Sequence, residues 1–205
     1  MAETARPRSR YRAVVIGVSS GGVQALKRLL GALPADFPLP LLIVQHISPE
    51  AGDGMARLLD DCCALSVKEA DEQECVRAGW AYLAPPNYHL LVERDGLMEL
   101  AADGYVSYAR PSVDVLFESA AAAFGDAVIG VVLTGANFDG SRGLKAIKAA
   151  GGTAIVQDPL DAEASQMPQA ALAATEPDHV APLADIAAIL MRLAVAGPSA
   201  NARRS

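Results

Sequence analysis

Apolar residues fall into two patterns along this chain. Near-continuous runs at Ala13 to Val18 (AVVIGV), Leu39 to Ile47 (LPLLIVQHI) and Ala127 to Leu133 (AVIGVVL) lack the alternation of a half-buried strand, and read as parallel strands covered on both faces. Other segments carry apolar positions at helical spacing, as Val23, Leu26, Leu29 and Leu30 do within Gly22 to Leu33. The first and third runs end in glycine turns, GVSSGG and LTGANFDG, and the first strand, turn, helix and second strand compose a βαβ unit. Further along, the pattern predicts a short helix over 53–64, a weak strand at Ser66 to Lys68 and a strand at Ala78 to Ala84. Tyr88 to Glu93 and Leu97 to Ala101 flank Arg94-Asp95-Gly96, an Asp-Gly hairpin signal. A helix from Ser112, its N-cap, to Phe124 comes next, then a helix over Gly140 to Ala150 and a strand over Thr153 to Gln157. Met167-Pro168 opens a helix with proline at the first position, and Ala181 to Leu193 is a closing amphipathic helix. The alternation predicts an α/β fold: an open, mostly parallel, doubly wound sheet with an inserted antiparallel hairpin, in a single domain. That domain is expected over 12–195, between flexible tails at 1–11 and 196–205.

Composition agrees with a globular chain: 205 residues, 52% hydrophobic and 20% charged. No apolar run reaches the ~18 residues of a membrane helix, and the basic start MAETARPRSRYR is followed by no signal-peptide core. Cys62, Cys63 and Cys75 form neither a CxxC nor a ligand set with histidine, so no disulfide framework, metal site or cofactor is expected, and a reducing cytoplasm fits best. The net charge of −7 is uneven, because residues 1–12 and 196–205 hold six arginines against one glutamate. The remaining body is strongly acidic, which excludes a duplex-binding face and leaves nucleic acid out of the expected partners.

In open parallel sheets, ligands bind beyond the carboxyl ends of the strands, so polar residues directly after buried strands are the candidates. Ser19 and Ser20 follow the first run, His46 ends the second, and Asp139 lies in the turn after the third. A hydroxyl, an imidazole and a carboxylate on one edge are what nucleophilic acyl transfer needs: a base to take the serine proton and an acid to orient the base. Gly21 and Gly22 permit a tight turn whose amides, with Gly135 and Ala136 opposite, can hold an oxyanion. Each element alone has a plainer reading. The serine-glycine turn can cradle a phosphate, His46 can be a hydrogen-bonded core residue, and Asp139 can cap the helix starting near Gly140. The order Ser, His, Asp, in place of Ser, Asp, His, excludes the α/β-hydrolase superfamily.

Taken together, GVSSGG, IVQHI, RPSVDVLF (Arg110 to Phe117), VVLTGANFDGSRG and the late EASQMP (Glu163 to Pro168) resemble the catalytic domain of the chemotaxis receptor protein-glutamate methylesterase family, in order and spacing, over roughly 12–193. The resemblance implies a cytoplasmic serine hydrolase that removes methyl groups from glutamate γ-methyl esters on chemoreceptor signalling helices, releasing methanol, with deamidation of receptor glutamines in some members. It implies Ser19 as nucleophile, His46 as general base and Asp139 as its orienting acid, with Ser20, Gly21 and Ala136 at the oxyanion and substrate side. Arg110 and Ser112 resemble a family segment near the active site, though Ser112 as a plain N-cap accounts for it as well. His89 is expected to be structural, meeting water or a carbonyl.

Two departures stand out. The family turn usually reads TGMGxDG, and here Ala136 and Asn137 replace Met and the second Gly at unchanged spacing to Asp139. About a dozen residues precede the first strand, so no receiver domain is expected in this chain and its regulatory switch would be absent. Two other functions stay open: a nucleotide-binding module using Gly21-Gly22 as a phosphate cradle, and a degenerate homologue that binds receptor or partner helices without catalysis. The first needs an acidic ribose-binding residue soon after the second strand, where only Glu50 follows His46, Ile47, Ser48 and Pro49.

Overall fold

The strand at Ala13–Val18 (β1) is buried at every position, which a side-chain period of two permits only when both faces of the sheet are covered. The computed structural model describes residues 9–46 and 54–195, and in it this strand lies at the centre of a seven-stranded sheet. The other members are Leu41–Gln45 (β2), Ser66–Glu69 (β3), Trp80–Leu83 (β4), Val128–Val132 (β7), Thr153–Gln157 (β8) and His179–Ala181 (β9). Their order is β3-β4-β2-β1-β7-β8-β9, and every pairing is parallel. His89–Val92 (β5) and Met98–Ala101 (β6) form the separate antiparallel hairpin expected around Asp95-Gly96.

Helices Gly22–Gly31 (α1), Gly54–Asp60 (α2), Val113–Phe124 (α3), Ser141–Ala149 (α4), Gln166–Ala174 (α5) and Leu183–Val195 (α6) complete the described elements. Alternate residues of β1 divide between two cores. Val14, Ile16 and Val18 pack with Leu26 and Leu29 of α1, Leu59 of α2 and Leu190 of α6. Ala13 and Val15 pack on the other face with Phe117 of α3, Leu144 of α4, Ala171 of α5 and the hairpin's Leu90. The result is a three-layer α/β/α arrangement, the doubly wound sheet expected from the alternation.

Three local expectations are corrected. His179–Ala181 is an edge strand that the pattern did not show, because three residues with Val180 half exposed carry no period. The closing helix therefore begins at Leu183, after Pro182, and not at Ala181. Pro168 is the third residue of α5, after Gln166 and Met167, and its missing N–H is harmless there because the first turn has no intrahelical acceptors. Within the stretch expected as a tail, Tyr11 is buried and its hydroxyl bonds the Thr153 hydroxyl at 2.6 Å. The remainder of both expected tails, 1–8 and 196–205, lies outside the described residues. No helix among the described residues is long and apolar enough to cross a membrane.

Candidate active site

The chain leaves β1 toward β2 and later returns on the opposite side as β7, so the carboxyl edge of β1 is where the winding reverses, the usual place for a ligand crevice. Backbone pairing runs one residue beyond the strands there. The His46 N–H donates to Val18 O at 3.1 Å, the Leu133 N–H to Gly17 O at 3.0 Å and the Ser19 N–H to Thr134 O at 2.9 Å. Ser19 is thus held between His46 and Thr134, the next residues in register after Val18 paired with Gln45. Gly21 has φ of 77°, the left-handed region that favours glycine, and a Cβ there would lie 2.8 Å from the Glu163 side chain. That carboxylate against the turn also opposes the phosphate-cradle reading.

His46 and Asp139 meet as expected, the His46 Nε2–H donating to Asp139 Oδ2 at 2.8 Å. The Asp139 side chain is fully buried, and that of His46 is 14% exposed. Three further donors reach the carboxylate: Ser112 Oγ–H at 2.9 Å, Val113 N–H at 2.7 Å and Asp114 N–H at 3.0 Å. Burial alone pushes the acid's pKa up, but the bond from His46 and the N–H groups of Asp114 and Val113 outweigh it and hold Asp139 below its ordinary value. Asp139 therefore caps α3 from another part of the chain. Ser112 sits at the N-cap position but makes no side-chain cap bond; its hydroxyl turns to Asp139. Nor does Asp139 cap α4: Asp114 Oδ1 accepts the Gly140 N–H at 3.0 Å and the Gly143 N–H at 2.7 Å. Asp114, buried beside Asp139, has its pKa raised by desolvation first, against the lowering bond from Gly143.

Ser19 is brought beside His46 by register but not into a hydrogen bond with it; its hydroxyl has no partner among the described residues. The second imidazole nitrogen, Nδ1, accepts from Asn137 Nδ2 at 3.0 Å, while Asn137 Oδ1 accepts the Asp139 N–H at 3.0 Å. Of the anticipated oxyanion donors, the Gly135 N–H is already given to Ala164 O at 2.9 Å. The N–H groups of Ser20, Gly21 and Ala136 have no acceptor among the described residues and remain available. His89 is buried, its Nε2–H donating to Gly104 O and its Nδ1 accepting the Ser112 N–H, both at 3.1 Å, which makes it structural support behind Ser112.

Several positioning residues escaped the sequence reading. Gln45 Nε2 donates to Ser19 O at 3.0 Å and His46 O at 2.8 Å, pinning the two strand ends together. Gln157 Oε1 accepts the Thr134 N–H at 2.9 Å, and Thr134 Oγ1–H donates to Ser20 O at 2.8 Å. The available signal was a glutamine ending each of two apolar strands, LLIVQ and TAIVQ. Met167 is buried and its N–H donates to Gly135 O at 2.9 Å. Beside His46 opens a cleft of about 380 Å³ lined by Tyr105, Tyr108, Arg110, Asn137 and Phe138. Arg110 donates to Ala102 O and Asp103 O and lies 4.8 Å from the Tyr105 ring centre. Glu50, the residue relevant to a ribose, lies outside the described residues.

Comparison with known proteins follows the same line. The family model described as CheB methylesterase matches residues 14–190. A relative from Leptospira interrogans (strain Fiocruz L1-130) is 49% identical over 183 residues, covering 89% of this chain and 95% of its own length. Protein-glutamate methylesterase/protein-glutamine glutaminase 5 of Anaeromyxobacter dehalogenans is 43% identical over 198 residues, 92% of this chain and 54% of that one. The protein-glutamate methylesterase/protein-glutamine glutaminase of Moorella thermoacetica is 44% identical, and the match covers 88% of this chain but 43% of that protein. The chain thus spans nearly all of the first relative and about half of the other two. The crystal structure of the Thermotoga maritima CheB methylesterase catalytic domain superposes with a TM-score of 0.86 at 34% identity, covering 89% of this chain and 98% of that one.

Proposed function

The chain belongs to the CheB methylesterase family, and from that premise we propose that it hydrolyses glutamate γ-methyl esters on chemoreceptor cytoplasmic helices through Ser19, His46 and Asp139. The observation that carries this reading is the 2.8 Å bond from His46 Nε2–H to a buried, helix-capping Asp139, with Ser19 next to His46 across the strand edge.

Asp139 fixes the imidazole tautomer, leaving Nδ1 as the nitrogen that takes a proton. Ser19 Oγ attacks the ester carbonyl as its proton passes to His46, and Asp139 stabilises the imidazolium. The N–H groups of Ser20, Gly21 and Ala136 are the donors for the oxyanion. Collapse of the tetrahedral intermediate returns the proton to the leaving oxygen and releases methanol. Water, deprotonated by the same histidine, then frees the glutamate carboxylate from Ser19. A glutamine side chain follows the same path with ammonia as the leaving group, in keeping with the double name of the relatives.

The test is methanol release from glutamyl methyl esters in receptor cytoplasmic fragments, with no phosphodonor added. The parent chain is expected to release methanol, and Ser19→Ala to lose about 10³-fold or more in rate while keeping its fold. Undiminished release by Ser19→Ala removes the nucleophile assignment.

A further inference from the structure

A neutral imidazole has one donor and one acceptor, and in this site both are occupied. Asp139 Oδ2 only accepts, so the proton of His46 is on Nε2; the one acceptor left is Nδ1, 3.0 Å from Asn137 Nδ2. The orientation of that amide is set by its other end, where Oδ1 accepts the Asp139 backbone N–H. The NH₂ end consequently faces the histidine. Nδ1 is also the nitrogen required to take the Ser19 proton, and it cannot accept from both.

We propose that Asn137 is a gate on the general base: it holds His46 Nδ1 closed, and its bond must break before Ser19 can be activated. The inference rests on the reading of Ser19 and His46 as nucleophile and base. Asn137 and Asp139 lie in one turn and are tied by the bond between them, so the group that orients His46 and the group that blocks it are carried together. The gate is also within reach of an arriving substrate, because half-buried Asn137 and exposed Phe138 both line the cleft beside His46. A ligand acceptor that takes over the Nδ2–H opens the base at the moment the site is filled. Asn137 is then a positioning residue that couples occupancy to reactivity.

A small fluorophosphonate reads this directly. Ser19 Oγ forms a bond to phosphorus, the P–F bond breaks, fluoride leaves and the serine proton passes to His46. Labelling rates are compared for the parent, Asn137→Ala, Asn137→Ser and Ser19→Ala, with melting temperatures as the check on folding. Serine keeps an oxygen that can accept the Asp139 N–H, so that variant preserves the turn while removing the donor to His46. Both Asn137 variants are expected to label about three- to tenfold faster than the parent, the factor that one ordinary hydrogen bond is worth. The ¹⁵N resonance of His46 Nδ1 is expected to shift in both, with the Nε2–H signal retained. Labelling of parent Ser19 with equal or slower rates in the folded variants overturns the gate and leaves the functional reading standing. No labelling of any folded protein takes down both.

Discussion

Asp139 is fully buried, which by itself raises its pKa, and yet it is easier to ionise than a free aspartate, because His46 and the first amides of α3 donate to it. A depressed folded-state pKa contributes stability that is complete above the unfolded value of about 3.9 and is lost as pH falls through the lower folded value. Asp139→Asn removes that contribution and turns an amide toward N–H donors. The variant is expected to lose about 10²- to 10⁴-fold in esterase kcat/KM. Its stability, followed by denaturant unfolding from about pH 5 to pH 2, is expected to fall less steeply than that of the parent. An equal acid slope in the two proteins contradicts the account of Asp139. At this scale the sequence was informative where a polar side chain directly followed a buried strand, as Ser19 and His46 do. It marked Asn137 only as a departure from the family turn and did not show the roles of Asn137, Gln45 and Thr134, which depend on partners 91, 26 and 114 residues away.

At the scale of elements, α3 and α4 cap each other. Asp139, just before α4, receives the first amides of α3, and Asp114, in the first turn of α3, receives Gly140 and Gly143 at the start of α4. Gly140, with φ of 94°, lets the chain turn from Asp139 into the helix so that both exchanges are made. The carboxylate that orients His46 is therefore placed by the packing of two helices. Asp114→Ala leaves two buried N–H groups without acceptors. Amide hydrogen exchange at Gly140 and Gly143 is expected to accelerate about fivefold, matching a lost cap of about 1 kcal/mol, with esterase activity reduced as Asp139 loses its anchorage. Unchanged exchange at both amides refutes the reciprocal cap. Helix positions were legible from apolar spacing, and the hairpin from Asp95-Gly96. The caps were not, because Ser112 has the composition of a local cap while the true acceptor lies on another element.

For the whole molecule, alternating strands and helices were enough to announce a doubly wound parallel sheet. The order β3-β4-β2-β1-β7-β8-β9 was not readable, since pairing between β1 and β7 joins segments more than a hundred residues apart that share only apolar character. Nor was the edge strand β9, too short to show a period. What the order accomplishes is to bring the ends of β1, β2 and β7 to one edge, so that residues 19, 46 and 139 converge from beyond three separate strands. Gln45, Thr134 and Gln157 then lock those strand ends together with amide and hydroxyl bonds. If this edge makes Ser19 the nucleophile of a two-step ester hydrolysis, rapid acid quenching during turnover of a glutamyl methyl ester peptide, followed by mass analysis of the Ser19 segment, traps the acyl-enzyme. A substrate acyl group is expected on Ser19 in the parent, and neither adduct nor methanol with Ser19→Ala. Methanol released at the parent rate by folded Ser19→Ala would contradict it.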